Sequence, residues 1–410
     1  MNILQHRVNR ILNSWIGVIL FLVTLFFLTL PNELALIPVL GKLRKPALQI
    51  LLILLALIFI ILRSKDRTWI RKSGLILSTM LYWGIYFIAL HMSASKNYYA
   101  MQYLGYAMVS ILLVAIYSQI NLQKFLLIFF FFFLVYNTIN NATGFFFNNT
   151  GMWTDSSFTV REHGMVFIGN VNSGIYPGML SLFSGILYSR IYDRSWNLVN
   201  LANLLFSLGY AIVVSSVSQI VIDSCLGIVL ILNFVPTWSS SLRKVLKWFN
   251  AKTLLVLDLL IFDAVVILGN SGWMEMIGIN PRMHGRRELW DTVLQSIIDH
   301  PVIGVGFESW IPVTIGSSTQ YFVNEHCFFL SIPYQTGLVG TAAYAVIVIL
   351  CIIRIGRTEW FEVKFILGVT FGLVFLFMVN EVMSSYYLFL FLAWMYYIPL
   401  FLPEYQIEKV

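Results

Sequence analysis

The sequence predicts an all-α, polytopic integral membrane protein with about 12 transmembrane helices. Of its 410 residues, 59% are hydrophobic and only 11% are charged, which excludes an ordinary soluble protein of two or three domains. Apolar runs close to the length that crosses a bilayer recur from one end of the chain to the other. No polar block is long enough to fold by itself, so residues 1–410 are expected to form a single transmembrane domain.

The helices are predicted from apolar segments in a hydropathy window of about 19 residues. Arg7 and Arg10 precede the first segment as they would in a signal peptide. No small-residue cleavage pattern follows and further spans do, so a retained first helix is expected. In chain order the predicted helices cover residues 12–30, 46–62, 74–91, 100–118, 124–140, 165–189, 198–214, 219–235, 253–269, 328–353, 363–379 and 384–402.

The distribution of positive charge predicts the orientation. With a cytoplasmic N-terminus, 18 of the 26 lysines and arginines fall in inner loops, in agreement with the excess known for cytoplasmic loops. Both termini are then cytoplasmic, and all histidines except His6 lie outside or at the outer interface. The net charge of +7 is spread over short loops between apolar segments, so nucleic acid is not expected as a partner.

Two predicted outer loops stand out by their length, residues 141–164 and residues 270–326. The second is far longer than ordinary connections, and its many aromatic residues argue against disorder. Within it, Leu289, Trp290 and Val293 recur at helical spacing, and charged residues take the opposite side. This pattern predicts a short amphipathic helix over residues 287–299 that ends before Pro301 and lies on the membrane surface.

Arginines of both outer loops are candidates for binding an anion. Arg282, Arg286 and Arg287 lie close together in the long loop. Their guanidinium groups are suited to forked contacts with phosphate oxygens and would cost free energy at an apolar interface without an anion. A positive loop held by lipid headgroups explains the same residues equally well. Arg161 lies on the same predicted face of the membrane, so Arg161 and Arg286 could converge on one diphosphate.

Four further residues could contribute to an outer site. His326 lies where the long loop re-enters the membrane, beside Glu325, and its ordinary pKa lets it accept a proton near neutral pH. An interfacial histidine without a chemical role is the alternative. Asn172 is either a hydrogen-bonding residue of a helix wall or a helix cap. Glu381 is either an exposed cap or part of the outer site.

Several chemistries have no support in the sequence. No P-loop and no Asp-x-Asp pair occurs, and Gly304-Val-Gly306 lacks the third glycine of a dinucleotide fingerprint. Neither a disulfide framework nor a zinc site is expected, because the cysteines show no CxxC spacing. No cofactor is therefore predicted. A transporter stays possible because three aspartates fall inside predicted helices, where ionisable groups are costly and often functional: Asp223, Asp258 and Asp263.

Four motifs follow one another in the second half of the chain: Gly285-Arg286-Arg-Glu-Leu-Trp290, His300-Pro-Val-Ile-Gly-Val-Gly306, His326-Cys-Phe-Phe-Leu330 and Gly337-Leu-Val-Gly340. Together with residues 161–172, this order resembles the bacterial O-antigen polymerase and ligase family of the Wzy and WaaL type. Elsewhere the resemblance is limited to hydropathy and helix count. Two positions depart from the family's pattern, because Cys327 replaces the usual asparagine and Gln219 stands where arginine is common.

The resemblance implies a membrane glycosyltransferase that takes glycan from undecaprenyl diphosphate at the outer face of the bacterial cytoplasmic membrane, without a metal. It implies that Arg286 and Arg161 hold the diphosphate and that His326 activates the acceptor hydroxyl. Fixed guanidinium groups would stabilise the charge that develops on the leaving group, and attack from the opposite face would invert the anomeric centre. Further candidates for binding the diphosphate or glycan are Arg282, Arg287, Asn172, Glu325 and Glu381.

The predicted function is that of a polysaccharide polymerase, which joins lipid-linked oligosaccharide repeat units for a capsule, an exopolysaccharide or O-antigen. Its expected partners are the lipid-linked oligosaccharide, membrane lipids, a chain-length regulator and a flippase. An O-antigen ligase would share the motifs and differ in its acceptor. A polysaccharide flippase or transporter, or a scaffold without catalysis, are the alternatives from other classes.

Overall fold

The fold is described from a computed structural model. It describes residues 3–30, 37–63, 73–92, 102–147, 175–214, 216–267, 286–306, 311–315, 318–322, 325–379 and 385–402.

Helices make up nearly all of the described chain, and each of the 12 predicted segments overlaps one of them. The helices are α1 (Ile3–Asn13), α2 (Trp15–Leu28), α3 (Pro38–Arg63), α4 (Gly74–Met92), α5 (Gln102–Ile120), α6 (Leu122–Phe147), α7 (Ile175–Ile191), α8 (Asn197–Val213), α9 (Val217–Phe234), α10 (Ser240–Leu246), α11 (Ala251–Phe262), α12 (Arg286–Asp299), α13 (Phe328–Gly356), α14 (Phe361–Met378) and α15 (Ser385–Phe401). A 3₁₀ turn, Arg194–Trp196, precedes α8, and a π-helical turn, Asp263–Ile267, extends α11.

Within the described residues, eight helices are long and apolar enough to cross a membrane. They are α3, α4, α5, α6, α8, α9, α13 and α14, with the 3₁₀ turn included in the span of α8. Helices α1 and α2 meet at an angle of 71° and pass the same test only as a bent pair. The fold is thus that of a helical, multi-pass membrane protein, and the count of 12 spans stays a prediction.

One part of the long loop is not helical, although the fold as a whole is all-α as predicted. Strands β1 (Ile311–Ile315) and β2 (Ser318–Phe322) form an antiparallel hairpin in which Ile311 pairs with Phe322. Ile311 and Val313 are buried, whereas Pro312 and Thr314 are exposed. This alternation has the period of two that is typical of a half-buried strand, and the sequence prediction overlooked it.

The hairpin, α12 and the start of α13 share a small hydrophobic core that is separate from the main core of the bundle. Its members come from both ends of the long loop: Val266, Leu289, Trp290, Val293, Ile311, Val313, Cys327, Leu330 and Tyr334. The described parts of the long loop are therefore packed together on the start of α13. We refer to the end of the bundle at which α13 begins as the site end.

Other helix ends can be assigned to the site end from their contacts. Helix α4 runs antiparallel to α13, because Gly74 lies near Leu350 and the Tyr82 ring lies 5.4 Å from that of Tyr344, closer to the start of α13. Met92, the last residue of α4, is therefore at the site end. The starts of α3 and α5 are also at the site end. Tyr86 of α4 lies within electrostatic range of Tyr103 of α5, and Arg44 of α3 stands 5.4 Å over the Tyr106 ring of α5.

Candidate functional site

A buried tryptophan ties helix α12 to the residues that precede α13. The indole of Trp290 is almost fully buried and donates a hydrogen bond of 3.1 Å to the backbone carbonyl of Glu325. The helix begins at Arg286 and ends at Asp299, so the predicted end before Pro301 is confirmed and the predicted start is shifted by one residue. The start of α12 is thereby fixed near the residues that precede α13.

Arg287 is occupied by groups of the protein itself. Its guanidinium donates to the backbone carbonyl of Val266 at 2.9 Å and to an Asp291 carboxylate oxygen at 3.1 Å. The side chain is buried and ties the first turn of α12 to the end of α11. Sequence reasoning offered Arg287 as a ligand of the diphosphate. The contacts seen here give it a structural function, and its role toward a substrate stays a prediction.

Arg286 is the first residue of α12 and is half-buried. It is within electrostatic range of the Cys327 thiol, which places it near the residue that follows His326. Burial raises the pKa of Cys327 to about 12, and Arg286 opposes this rise only weakly. Cys327 is therefore a neutral thiol at neutral pH and is no candidate nucleophile.

His326 adopts a backbone conformation that L-residues rarely take. Its φ is +49°, and among the described residues it is the one non-glycine residue with a positive φ. Such a conformation costs on the order of 1–3 kcal/mol and persists only where the surroundings impose it, as at functional sites. The half-buried imidazole faces the edge of Phe322, with 6.2 Å between the ring centroids. The hairpin and the start of α13 thus hold His326 between them.

Glu325, next to His326, is a buried carboxyl group with 3% of its surface exposed. One carboxyl oxygen accepts a hydrogen bond of 2.9 Å from the Gln335 amide, which also donates to the Ser331 hydroxyl at 3.0 Å. Burial raises the pKa of Glu325, and the bonds from Gln335 and Ser331 and the nearby His326 oppose the rise. Glu325 is thus shielded from bulk water and interacts electrostatically with His326.

The motif that begins at His300 lies against a break in α13. Helix α13 is interrupted at Gly337, where φ is +63° and ψ is −165°. Four backbone hydrogen bonds cross between the two segments, from Val305 to Tyr334 (2.8 Å), Gly306 to Gln335 (3.1 Å), Leu338 to Pro301 (2.8 Å) and Val339 to Val302 (3.2 Å). We call this set the backbone clasp. It satisfies the polar groups that the break would otherwise leave unpaired.

Two glycines make the backbone clasp possible. Gly304 also has a positive φ, of +76°. A Cβ atom on Gly304 would lie 2.5 Å from the carbonyl oxygen of Tyr334, and one on Gly337 would lie 2.3 Å from that of Val302. Only glycine permits both the conformation and the close approach. The two motifs that sequence reasoning noted separately are therefore the two sides of one contact.

The structure brings together some of the predicted site residues and does not describe others. Arg286, Glu325 and His326 lie at the site end, around the start of α12 and the residues before α13. Four predicted residues lie outside the described parts of the chain, so their convergence with Arg286 stays a prediction: Arg161, Asn172, Arg282 and Glu381.

The three aspartates that kept a transporter possible differ in their surroundings. Asp223 in α9 and Asp258 in α11 are buried, with 2% and 3% of their surface exposed. Asp263, in the π-helical turn, is exposed. Asp223 is buried in a helix that is long and apolar enough to cross a membrane, where ionisable groups are often functional. Asp258 is buried in the shorter α11, whereas the exposed Asp263 does not point into the interior.

Sequence reasoning missed three elements of this site. They are the hairpin, the bond from Trp290 to Glu325, and the pair of Gln335 with Glu325. Only the hairpin left a local signal, the alternation of Ile311, Val313 and Ile315. The other two join residues 35 and 10 positions apart, and no periodic pattern reports such contacts.

Comparison with known proteins adds no family to this geometry. Neither a protein-family model nor a curated protein matches the chain. In the part of the chain that the structure describes, no group of three or more histidine, cysteine, aspartate or glutamate side chains is arranged to hold a metal ion.

Proposed function

We propose that this protein is a membrane glycosyltransferase that polymerises oligosaccharide repeat units carried on undecaprenyl diphosphate. The observation that carries the proposal is the left-handed His326, held next to buried Glu325 and near the first turn of α12, where Arg286 lies. A base, a carboxyl group and a cation are thus near one another at the edge of a membrane bundle. The combination suits the transfer of a sugar from a phosphate leaving group.

The reaction proceeds in a single displacement. His326 accepts the proton of a sugar hydroxyl on the acceptor as the hydroxyl oxygen attacks the anomeric carbon of the donor. The bond from that carbon to the diphosphate oxygen breaks, and the diphosphate leaves with the bonding electrons. Arg286, with Arg161 from the second outer loop, stabilises the charge on the departing diphosphate. The product has inverted configuration, and no cofactor takes part.

Glu325 acts through His326 rather than on the sugar. Its carboxyl group is fixed by Gln335 and is within electrostatic range of the imidazole. When ionised, it stabilises the imidazolium that forms as the hydroxyl proton is transferred. Glu325 is therefore a positioning residue in this proposal.

The arrangement in the membrane completes the proposal. The chain crosses the bacterial cytoplasmic membrane 12 times with both termini in the cytoplasm, and the site end faces outward. This orientation follows the excess of lysine and arginine in the predicted inner loops. The long loop then meets lipid-linked repeat units after a flippase has delivered them to the outer face, and a chain-length regulator acts on the growing product.

The direct test uses purified protein with undecaprenyl-diphosphate-linked repeat units. Chains longer than one unit are expected from the unaltered protein. Single His326→Ala and Arg286→Ala variants, inserted in the membrane, are expected to accumulate unjoined units, while His6→Ala serves as a remote histidine control. Absence of longer chains and of any ligated product from the unaltered protein, with an active related preparation as reference, would contradict the proposal.

The same assay separates the polymerase from an O-antigen ligase. Adding a lipid A core acceptor gives a ligated product only if the acceptor site admits it. The polymerase is preferred here because, among proteins with these motifs, polymerases are more common than ligases.

A flippase is the second candidate, and buried Asp223 and Asp258 favour it. A flippase would need these aspartates, and their Asn variants would leave lipid-linked units on the inner face. The glycosyltransferase predicts that units still reach the outer face in the His326→Ala variant and remain there unjoined. A scaffold without catalysis would tolerate both the His326→Ala and the Arg286→Ala substitution.

A further inference from the structure

A groove of about 860 Å³ runs along the surface of α3, α4 and α5. This volume lies within the range of roughly 300–1,000 Å³ that is usual for ligand sites. Its walls are apolar and aromatic over most of their length, with Trp83 and Phe87 from α4 and Tyr106 and Leu112 from α5. The groove therefore suits a hydrocarbon ligand that lies against the bundle within the membrane.

Two glycines give the groove its depth. A Cβ atom built on Gly84 or Gly105 would meet nothing within 4 Å, and both residues line the groove. Two glycines of other helices admit a neighbour instead: the Asn200 side chain fills the space at Gly185, and the Tyr210 ring fills that at Gly144. Gly84 and Gly105 thus leave room that no described part of the chain fills.

Polar residues line one end of the groove. Lys45 and Gln49 come from the first turns of α3, and Gln102 is the first residue of α5. Both helix starts are at the site end, as the contact of Arg44 with the Tyr106 ring requires. A second groove of about 570 Å³, between α2 and α6, contains no charged residue in its lining. Only the first of these two grooves therefore offers a cation to an acidic headgroup at one end and an apolar channel beyond it.

The groove adjoins the candidate site through α4. The Trp83 ring packs on the Tyr86 ring, with 4.9 Å between their centroids. Tyr86 in turn is within electrostatic range of the Glu325 carboxyl group. One helix thus carries the aromatic wall of the groove on one side and neighbours Glu325 on the other.

We propose that this groove binds the polyprenyl chain of the lipid-linked donor, with the acidic phosphate end of the lipid at Lys45. The inference rests on the proposed function for the identity of the lipid. The choice of the donor over a bulk phospholipid follows from α4, which lines the groove with Trp83 and lies within electrostatic range of Glu325 through Tyr86. The chain would hold the donor at the bundle while its glycan reaches the site end.

The test fills the groove without disturbing the fold. Single Gly84→Leu and Gly105→Leu variants place a side chain in the groove, and Gly356→Leu at the far end of α13 is the matched control, because a Cβ there also meets nothing within 4 Å. Displacing about two methylene groups of the bound chain should weaken binding about tenfold. A photoreactive polyprenyl phosphate in lipid nanodiscs is the probe, and labelling of α4 and α5 peptides is the readout.

The expected result is labelling of α4 and α5 that falls about tenfold in both groove variants and stays unchanged in Gly356→Leu. A Lys45→Gln variant should weaken labelling by an acidic prenyl phosphate but not by a neutral prenyl alcohol. Equal labelling of all variants, or equal competition by phosphatidylglycerol, would overturn the inference. If labelling falls in both groove variants but the unaltered protein never joins repeat units, the groove is supported as a polyprenyl site and the proposed function is refuted.

Discussion

Two regions of this molecule bury charged side chains, and they do so in different ways. At the end of the bundle away from the site end, the carboxylate of Glu362 in α14 forms ion pairs with Arg243 at 2.8 Å and with Arg190 at 3.4 Å. Arg190 also donates to the Val235 carbonyl at 2.9 Å and lies 5.2 Å over the Trp238 ring. Regular helices supply all three charges, and each charged group is paired with an opposite charge within the bundle.

At the site end, the corresponding groups come from loops and helix ends. Arg286 begins α12, whereas Glu325 and His326 precede α13. Their positions depend on the Trp290 bond, the left-handed turn at His326 and the backbone clasp. The comparison teaches that one charge cluster stabilises the packing of helices, while the other is held in place by strained and glycine-dependent backbone, as functional groups commonly are.

The largest effect on stability is expected from the first cluster. Glu362→Ala leaves Arg190 buried without its carboxylate, and removing one partner of a buried pair costs about 3–5 kcal/mol. The thermal unfolding of the purified protein should shift strongly, with Glu359→Ala in the preceding loop as the control. An unchanged unfolding temperature would show that the cluster does not hold α7, α10 and α14 together.

The backbone clasp should give the next largest effect, and it should act on function. Gly337→Ala forces a Cβ to within 2.3 Å of Val302 and a residue with a side chain into a positive φ, which together cost about 2–3 kcal/mol. Chain joining should fall, and hydrogen exchange should rise in residues 300–306. Gly356→Ala is the matched control. Retention of slow exchange in this segment would refute the clasp.

A smaller loss is expected from Trp290→Phe, which keeps the aromatic packing and removes the bond to the Glu325 carbonyl. A net loss of about 1 kcal/mol in the free energy of unfolding is expected for a buried hydrogen bond. Joining should fall more than this loss of stability explains, because α12 would no longer be fixed to the residues before α13. Equal rates for the variant and the unaltered protein would argue against that coupling.

The pH dependence of stability should report Glu325. Burial raises its pKa in the folded protein above the ordinary value of 4.5, so the folded state holds the proton more tightly than the unfolded state. Its contribution to stability is fully present below pH 4.5 and decreases as the pH rises through the folded-state pKa. Unfolding measured from pH 4.5 to pH 7 should therefore show a slope that Glu325→Gln reduces. If Glu325→Gln leaves the slope unchanged, Glu325 is not the source of the pH dependence.

The smallest effect concerns Cys327, which should react slowly with iodoacetamide at pH 7 in the folded protein. Full burial and a pKa of about 12 both keep the thiol unreactive. The urea-unfolded chain is the control and should be modified readily. Fast modification of the folded protein at this residue, identified by peptide mass, would contradict the described packing of the site.

Much of this architecture could be predicted from the sequence because long apolar runs determine where membrane helices form. Helix α12 was equally accessible, since Leu289, Trp290 and Val293 carry its period and Pro301 follows its end. The site was predictable only in part. Motifs named Arg286 and His326, but the contact between Gly304 and Gly337 joins distant segments through backbone atoms, which no local pattern encodes.

Arg287 also shows a limit of prediction from sequence. Its neighbours in sequence made it a candidate for binding phosphate, whereas its guanidinium bonds to Val266 and Asp291. Adjacent arginines on a helix point about 100° apart, so one can bind within the protein while the other faces a ligand. The sequence alone does not say which is which.

The central claim is that Arg286 and His326 act in the same sugar-transfer step, Arg286 on the donor's diphosphate and His326 on the acceptor hydroxyl. A single-turnover assay of sugar transfer, with Arg286→Ala, His326→Ala and the double variant, tests it most directly. Residues that act as a unit are strongly non-additive, so the double variant should be about as slow as the slower single variant. Losses that multiply, or single variants that transfer sugar at the rate of the unaltered protein, would contradict the claim.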